Sequence, residues 1–273
     1  MRAVFTGDLL LGDQPLLLGM GIQSRWGEAY ASVFQDFCSW HREQHADFLV
    51  VNFEGVLVRN LRAFPPSERA MKAPLPALAP LQELGIPVLV SLANNHSMEY
   101  GPDAFAEMCQ LLEAAGFLVL GLRDDPAKIV RTADTTVGVF AFSTIPALYG
   151  HEPRYYYLDS ANEDCVERLL DRVRQTKAQC DQLVIYPHWG TEFVTEPSRM
   201  QRELASRLVD SGANLIVGAH PHVIQDAYWV NKAPVYFSVG NLVSDYPLEE
   251  VRRSAVVVAD WTGGTLTTET QVF

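Results

Sequence analysis

ANLIVGAHPH, residues 213 to 222, sets an apolar, β-branched run directly against two histidines separated by one proline. The run has the length and composition of a buried strand bounded by a turn signal. A residue that precedes proline is pushed toward the extended region, so His220 is expected to be extended. The side chains of His220 and His222 would then project to the same side. A lone histidine is more often a hydrogen-bonded, partly buried residue than a ligand. The rest of the chain shifts that balance.

The same juxtaposition recurs along the sequence. Asp8 follows AVFTG, Asn52 and Glu54 follow FLVV, Asn94, Asn95 and His96 follow VLVSLA, His188 follows LVIYP, and Asn241 follows YFSVG. Ligands of open α/β sheets bind beyond the carboxyl ends of the strands, so these groups are expected to converge. Four of the seven histidines fall at such ends together with two carboxylates. Imidazole and carboxylate without thiolate form the donor set of a catalytic metal centre.

The remaining pattern is that of an α/β protein with mixed sheets. Strand candidates are RAVFT, DFLVV, PVLVSL, FLVLG, TVGVFAF, QLVIY, NLIVG, VYFSV and SAVVVAD. Amphipathic helices are predicted over 102 to 115, between Pro102 and Gly116, and over 198 to 211, with Met200, Leu204 and Leu208 as a buried stripe. A Thr-Gly-Gly turn between SAVVVAD and TLTTETQV predicts an antiparallel hairpin. Residues 59 to 80, with five prolines, read as a surface excursion. No repeat or boundary divides the chain, which is read as one domain over 1–273.

A formal charge of -12 argues against a nucleic-acid or anionic-membrane surface. An anionic substrate would therefore need a local positive source. Cys38, Cys109, Cys165 and Cys180 show no CxxC spacing and read as reduced thiols. Met1 runs at once into the first strand, which leaves no room for a signal peptide, and no apolar run reaches membrane-spanning length. A cytoplasmic location is expected.

Two near-motifs carry little. HREQH (41 to 45) has Arg42 where a zinc protease needs its glutamate, and it reads as a solvated helix face. GMGIQS (19 to 24) has Ser24 in place of the third glycine of a dinucleotide loop.

The ordered set GD, NFEG, ANNHS, HWG, GAHPH and VGN resembles the calcineurin-like metallophosphoesterase superfamily, and within it the CapA-like poly-gamma-glutamate capsule synthesis subfamily. The resemblance implies a four-layer α/β/β/α sandwich with two mixed β-sheets and two divalent metal ions, Mn, Fe or Zn, one of them held weakly. It implies Asp8, Glu54, Asn95, His188, His220 and His222 as metal ligands, with His96 catalytic. The superfamily's Asp-x-His motif has Leu10 in place of its histidine here. Asp13 stands nearby and reads as a turn or cap residue in preference to a replacement ligand. Asn52, Asn94, Trp189 and Asn241 are candidate substrate contacts. Glu192 beside His188, and Arg59, Arg62 and Arg154 on loops, are weaker ones.

The leading expectation is metal-assisted hydrolysis of a phosphoester, in which paired ions make hydroxide available near neutrality and His96 protonates the leaving group. The alternative is hydrolysis, transfer or simple binding of a gamma-glutamyl polymer. Either way the expected partner is a small anionic or polyanionic substrate.

Overall fold

A computed structural model describes residues 1–14, 20–27 and 29–273. GMGIQS begins at Gly19, outside the described residues.

Two mixed sheets carry the chain. The first runs Thr267–Val272, Ala255–Asp260, Arg2–Leu9, Phe48–Phe53, Val88–Ser91, Leu118–Leu120, with Asn241–Val243 also pairing alongside Arg2–Leu9. Its first two strands form the expected antiparallel hairpin, and the other contacts to Phe48–Phe53 and beyond are parallel. The second runs Ala227–Val230, Ala233–Tyr236, Leu215–Val217, Gln182–His188, Thr136–Ser143, Ala127–Arg131, parallel except at its two edges.

Alternation along the second sheet determines the layering, because successive side chains of a strand point to opposite faces. Val137, Val139, Ala141, Val184, Tyr186, Leu215 and Val217 share a core with the first sheet. Their neighbours Phe140, Phe142, Leu183, Ile185 and Ile216 pack instead with Leu169 and Val173 of the helix Glu163–Lys177 and with Leu204 and Leu208 of Arg199–Asp210. The core of the first sheet takes in Phe37 and Cys38 from the helix Gln35–Gln44 and Phe105, Met108 and Leu112 from Gly101–Ala114. The result is the expected α/β/β/α sandwich.

Several local expectations are corrected. Met200 is 45% exposed, and the buried stripe of its helix is Gln201, Leu204, Ala205 and Leu208. A capping box between Ser198 and Gln201 sets where that helix begins and turns Met200 outward. In HREQH Arg42, Glu43 and His45, the last at the helix C-cap, are exposed as expected, but His41 is not. His41 is buried against Phe37, and burial lowers its pKa to about 4. Residues 59 to 80 are not wholly superficial, since Lys72–Pro74 pairs with Val56–Val58 and Leu61, Met71, Ala77 and Leu78 are buried. The edge strands Ala127–Arg131 and Ala227–Val230 are half exposed and are absent from the strand candidates. All four cysteines are free, and no helix among the described residues is long and apolar enough to cross a membrane.

Candidate metal centre

Strand register assembles the site. Asp8 is aligned with Asn52 on one side and Asn241 on the other, and His188 bridges to Ala219, just before His220. Two motif glycines permit the close approaches this needs. A Cβ on Gly7 would sit 1.8 Å from the Gly240 carbonyl oxygen, which accepts the Asp8 N–H at 3.2 Å. A Cβ on Gly218 would sit 2.2 Å from the Phe237 carbonyl oxygen and 2.5 Å from Trp189 Nε1.

The GAHPH turn departs from the expected conformation. His220 has φ 97 and His222 φ 58, so neither is extended. Both values are unusual for residues with a Cβ, and His220 also violates the preference set by the following proline. Tertiary bonds hold the strain: the His220 N–H donates to Asp8 Oδ2 at 3.0 Å, and Asn241 Oδ1 lies 2.8 Å from His222 Nδ1. The rings do meet, with centroids 5.9 Å apart, but through a turn instead of an extended segment.

Glu54 is the centre of the cluster. It is 1% exposed, yet neither carboxylate oxygen has a hydrogen-bond partner. Its Oε1 lies 3.7 Å from His188 Nε2, 3.8 Å from His222 Nε2 and 3.9 Å from His96 Nε2. Two overlapping groups, Glu54 with His220 and His222, and Asp8 with Glu54 and His188, each offer ligand atoms within 4.8 Å of one another. A buried carboxylate without donors is costly unless a cation faces it. The donor set and the unpartnered Glu54 fit divalent metal.

Neighbouring amides orient the imidazoles. With Nδ1–H donating to Asn241 Oδ1, His222 turns Nε2 toward Glu54. Asn52 Nδ2 donates to Asp8 Oδ1 at 2.7 Å and lies 3.3 Å from His188 Nδ1. His188 Nε2 then faces Asn95 Oδ1 at 2.9 Å and His220 Nδ1 at 3.1 Å. His96 Nδ1 is 2.6 Å from Glu99 Oε2.

The electrostatics are those of crowded, buried groups. Burial, and then Asp8, push the Glu54 carboxyl up to about 8. Burial opposes a charge on His222, but Glu54 and Asp8 overcome it and hold that ring up to about 10. Burial and the neighbouring rings His220 and His222 drive His188 well down, and burial with His222 lowers His220 to about 4. His96 is raised, with burial overcome by the Glu99 bond and by Glu54.

Asp8, Glu54, Asn95, His96, His188, His220 and His222 therefore come together, with Asn52 and Asn241 braced behind them. Two residues read as substrate contacts are placed otherwise. Asn94 donates to Asn52 Oδ1 and the Phe53 carbonyl and accepts from the N–H groups of His96 and Ser97, so its amide is committed to tying its own loop to the end of Phe48–Phe53. Trp189 is fully buried on the helix side, stacked on Phe237 with Nε1–H donating to the Phe237 carbonyl at 2.8 Å. Asp13 accepts from the N–H and hydroxyl of Ser24 in the helix Ile22–Trp26, a cap-like role. Sequence reading missed Glu99, although its spacing three residues after His96 is a turn's reach. It also missed Phe193 and Tyr246, whose rings lie 5.9 and 5.8 Å from that of His222. Both are lone loop aromatics with no periodic signal.

Known proteins share this organisation. The sequence profile described as bacterial capsule synthesis protein PGA_cap matches residues 2–246. The capsule biosynthesis protein CapA of Bacillus anthracis is 27% identical over 94% of this chain and 63% of its own length. The PGA biosynthesis protein CapA of Bacillus subtilis is 30% identical over 65% of this chain and 47% of its own length. The chain thus spans less than two thirds of these relatives. A solved phosphatase from Mycoplasma pneumoniae superposes with a TM-score of 0.60 at 12% identity, covering 100% of this chain and 93% of that one, which shows a common metallophosphoesterase fold. Matched over most of its length, the chain belongs to the bacterial capsule synthesis protein PGA_cap family.

Proposed function

We propose that residues 1–273 form one metallophosphoesterase-like domain that binds one or two divalent cations, Mn, Fe or Zn, and hydrolyses a phosphoester. The observation that carries the reading is the Glu54 carboxylate, buried without a donor and faced by three imidazole Nε2 atoms within 3.9 Å. Bound cations would supply Lewis-acid activation of water and neutralise charge on a phosphoryl group. Asp8, Glu54, Asn95, His188, His220 and His222 would hold them.

The chain's own residues do the rest. Burial keeps His188 and His220 neutral, the state in which an imidazole can ligate. Asn241 fixes the tautomer of His222, and Asn52 ties Asp8 to His188. Glu99 holds His96 Nδ1 and favours its charged form, so Nε2, on the site side of the ring, carries a proton for a leaving group. Phe193 and Tyr246 wall the site beside His222.

The test is turnover of phosphomonoesters and phosphodiesters across Mn, Fe, Co and Zn, with metal content measured per chain. Absence of turnover above a His188→Ala control overturns the phosphoester reading. A second reading, action on or binding of a gamma-glutamyl polymer, is favoured by the relatives, one of which is described as a PGA biosynthesis protein. Release of short glutamyl chains from poly-gamma-glutamate separates the two.

A further inference from the structure

Two exposed aromatic side chains beside the metal centre stand on strained backbone. Phe193 has φ 61 and Tyr149 φ 58, and the two residues are 45% and 74% exposed. A bulky residue in the left-handed region is an outlier, and such strain clusters where ligands are held. Neither ring is buried in return. Both turns are tied to the site. The Phe193 N–H donates to the carbonyl of Pro221, between His220 and His222, at 2.8 Å, and the Gln225 amide donates to the Val194 carbonyl at 2.7 Å. The Tyr149 hydroxyl donates to Glu99 Oε1 at 3.5 Å, while the other oxygen of that carboxylate holds His96.

The wall beside His222 is aromatic and acidic. Phe193 and Tyr246 meet edge to face with centroids 5.7 Å apart, and each lies within 5.9 Å of the His222 ring. Glu192, which precedes Phe193, is exposed. Burial and then Asp8 dominate the rise at the Glu54 carboxyl, and burial and then Glu54 the rise at the Tyr246 hydroxyl, but Glu192 adds to both, so its charge is felt inside the site. Among the described residues no Lys or Arg forms an ion pair with it: Arg25 is paired with Asp245, Arg199 with Glu203 and Arg202 with Glu196. On a chain of net charge -12, this part of the mouth favours a cation.

We propose that Phe193, Tyr246 and Glu192 form a specificity wall that takes the organic part of a phosphoester and selects one bearing an alkylammonium group. The proposal rests on the phosphoester reading of the same centre, with the phosphoryl group at the buried ligand set and the alcohol portion against this wall. An ammonium within about 6 Å of an aromatic face is attracted by the ring quadrupole, and more strongly when desolvated. The Glu192 carboxylate next to the Phe193 ring supplies the counter-charge. An anionic organic part would be repelled by Glu192 and by the acidic surface around it. A flat neutral ring would use the aromatic faces and leave Glu192 without a role. Tyr149, on the His96 side, offers a further exposed ring.

Phosphocholine and 3,3-dimethylbutyl phosphate, which have the same shape but differ in the positive charge, test it on the whole chain in Mn. Binding of each is measured by calorimetry and hydrolysis by phosphate release. Phosphocholine should bind, and be turned over in kcat/KM, about three- to thirtyfold better, the scale of one or two cation–π contacts. Glu192→Gln and Phe193→Leu should each bring that ratio toward one. Both side chains are largely exposed, so neither change carries much folding risk. Equal binding of the two esters overturns the proposal. So does a preference that survives both substitutions, which would assign it to the charge of the whole chain, or tighter binding of phenyl phosphate, which would make the wall a flat-ring site. Selective binding without turnover keeps the wall and overturns the hydrolase reading, whereas turnover without selectivity does the reverse. Binding of neither ester overturns both.

Discussion

Glu54→Gln should stabilise the protein without metal and abolish its stabilisation by metal. In the folded chain burial and Asp8 raise the Glu54 carboxyl to about 8, against 4.5 in the unfolded chain. Because the folded value is the higher one, the contribution is fully present below the unfolded value and is lost as pH rises toward about 8. At roughly pH 7.5 the difference amounts to about 4 kcal/mol of folding free energy. Glutamine removes the charge but leaves a buried amide among imidazoles, which takes back about 1–3 kcal/mol. The net gain is about 1–3 kcal/mol, a rise of roughly 2–8 °C in the melting midpoint for a chain of this size. With metal the order reverses: a cation at one hundred times its dissociation constant adds about 2.7 kcal/mol to the wild type, and the variant should gain far less. Scanning calorimetry at pH 5 and at neutrality, in chelator and in Mn or Zn, checks all four corners. A variant no more stable than the wild type in chelator, or one equally stabilised by metal, refutes the reasoning.

Three further outcomes follow from the same geometry. Asn241→Ala frees the His222 ring and should weaken metal binding by about 10- to 100-fold in a competition titration. Glu99→Gln removes the negative charge that opposes burial at His96, so the titration midpoint of that ring, followed by NMR, should fall while metal content stays unchanged. Gly218→Ala drives a Cβ to 2.2 Å from the Phe237 carbonyl oxygen, and the overpacking should lower stability by about 1–3 kcal/mol in urea denaturation.

Local sequence was informative where a local rule operates. Central strands such as Phe48–Phe53 and Gln182–His188 are buried along their length and read as apolar runs, and the helices Gly101–Ala114 and Arg199–Asp210 begin and end within a residue of their predicted bounds. Polar residues placed just after those runs identified Asp8, Glu54, His188, His220 and His222 as candidates, because the carboxyl ends of parallel strands share one edge. What local rules could not supply was anything set by partners distant in sequence. Asn94 and Asn95 are adjacent and chemically identical, yet one ties its loop to the end of Phe48–Phe53 and the other faces His188, which follows from the register between strands. Trp189, next to His188, points into the opposite core because neighbouring residues of a strand end face opposite ways. The left-handed backbone at His220 contradicts the preference of a residue before proline, and it is held by a hydrogen bond to Asp8, 212 residues away. Strand identity is encoded in short runs of apolar, β-branched side chains, whereas the shape of the metal centre arises only when the packed sheets bring those distant donors and acceptors within bonding distance.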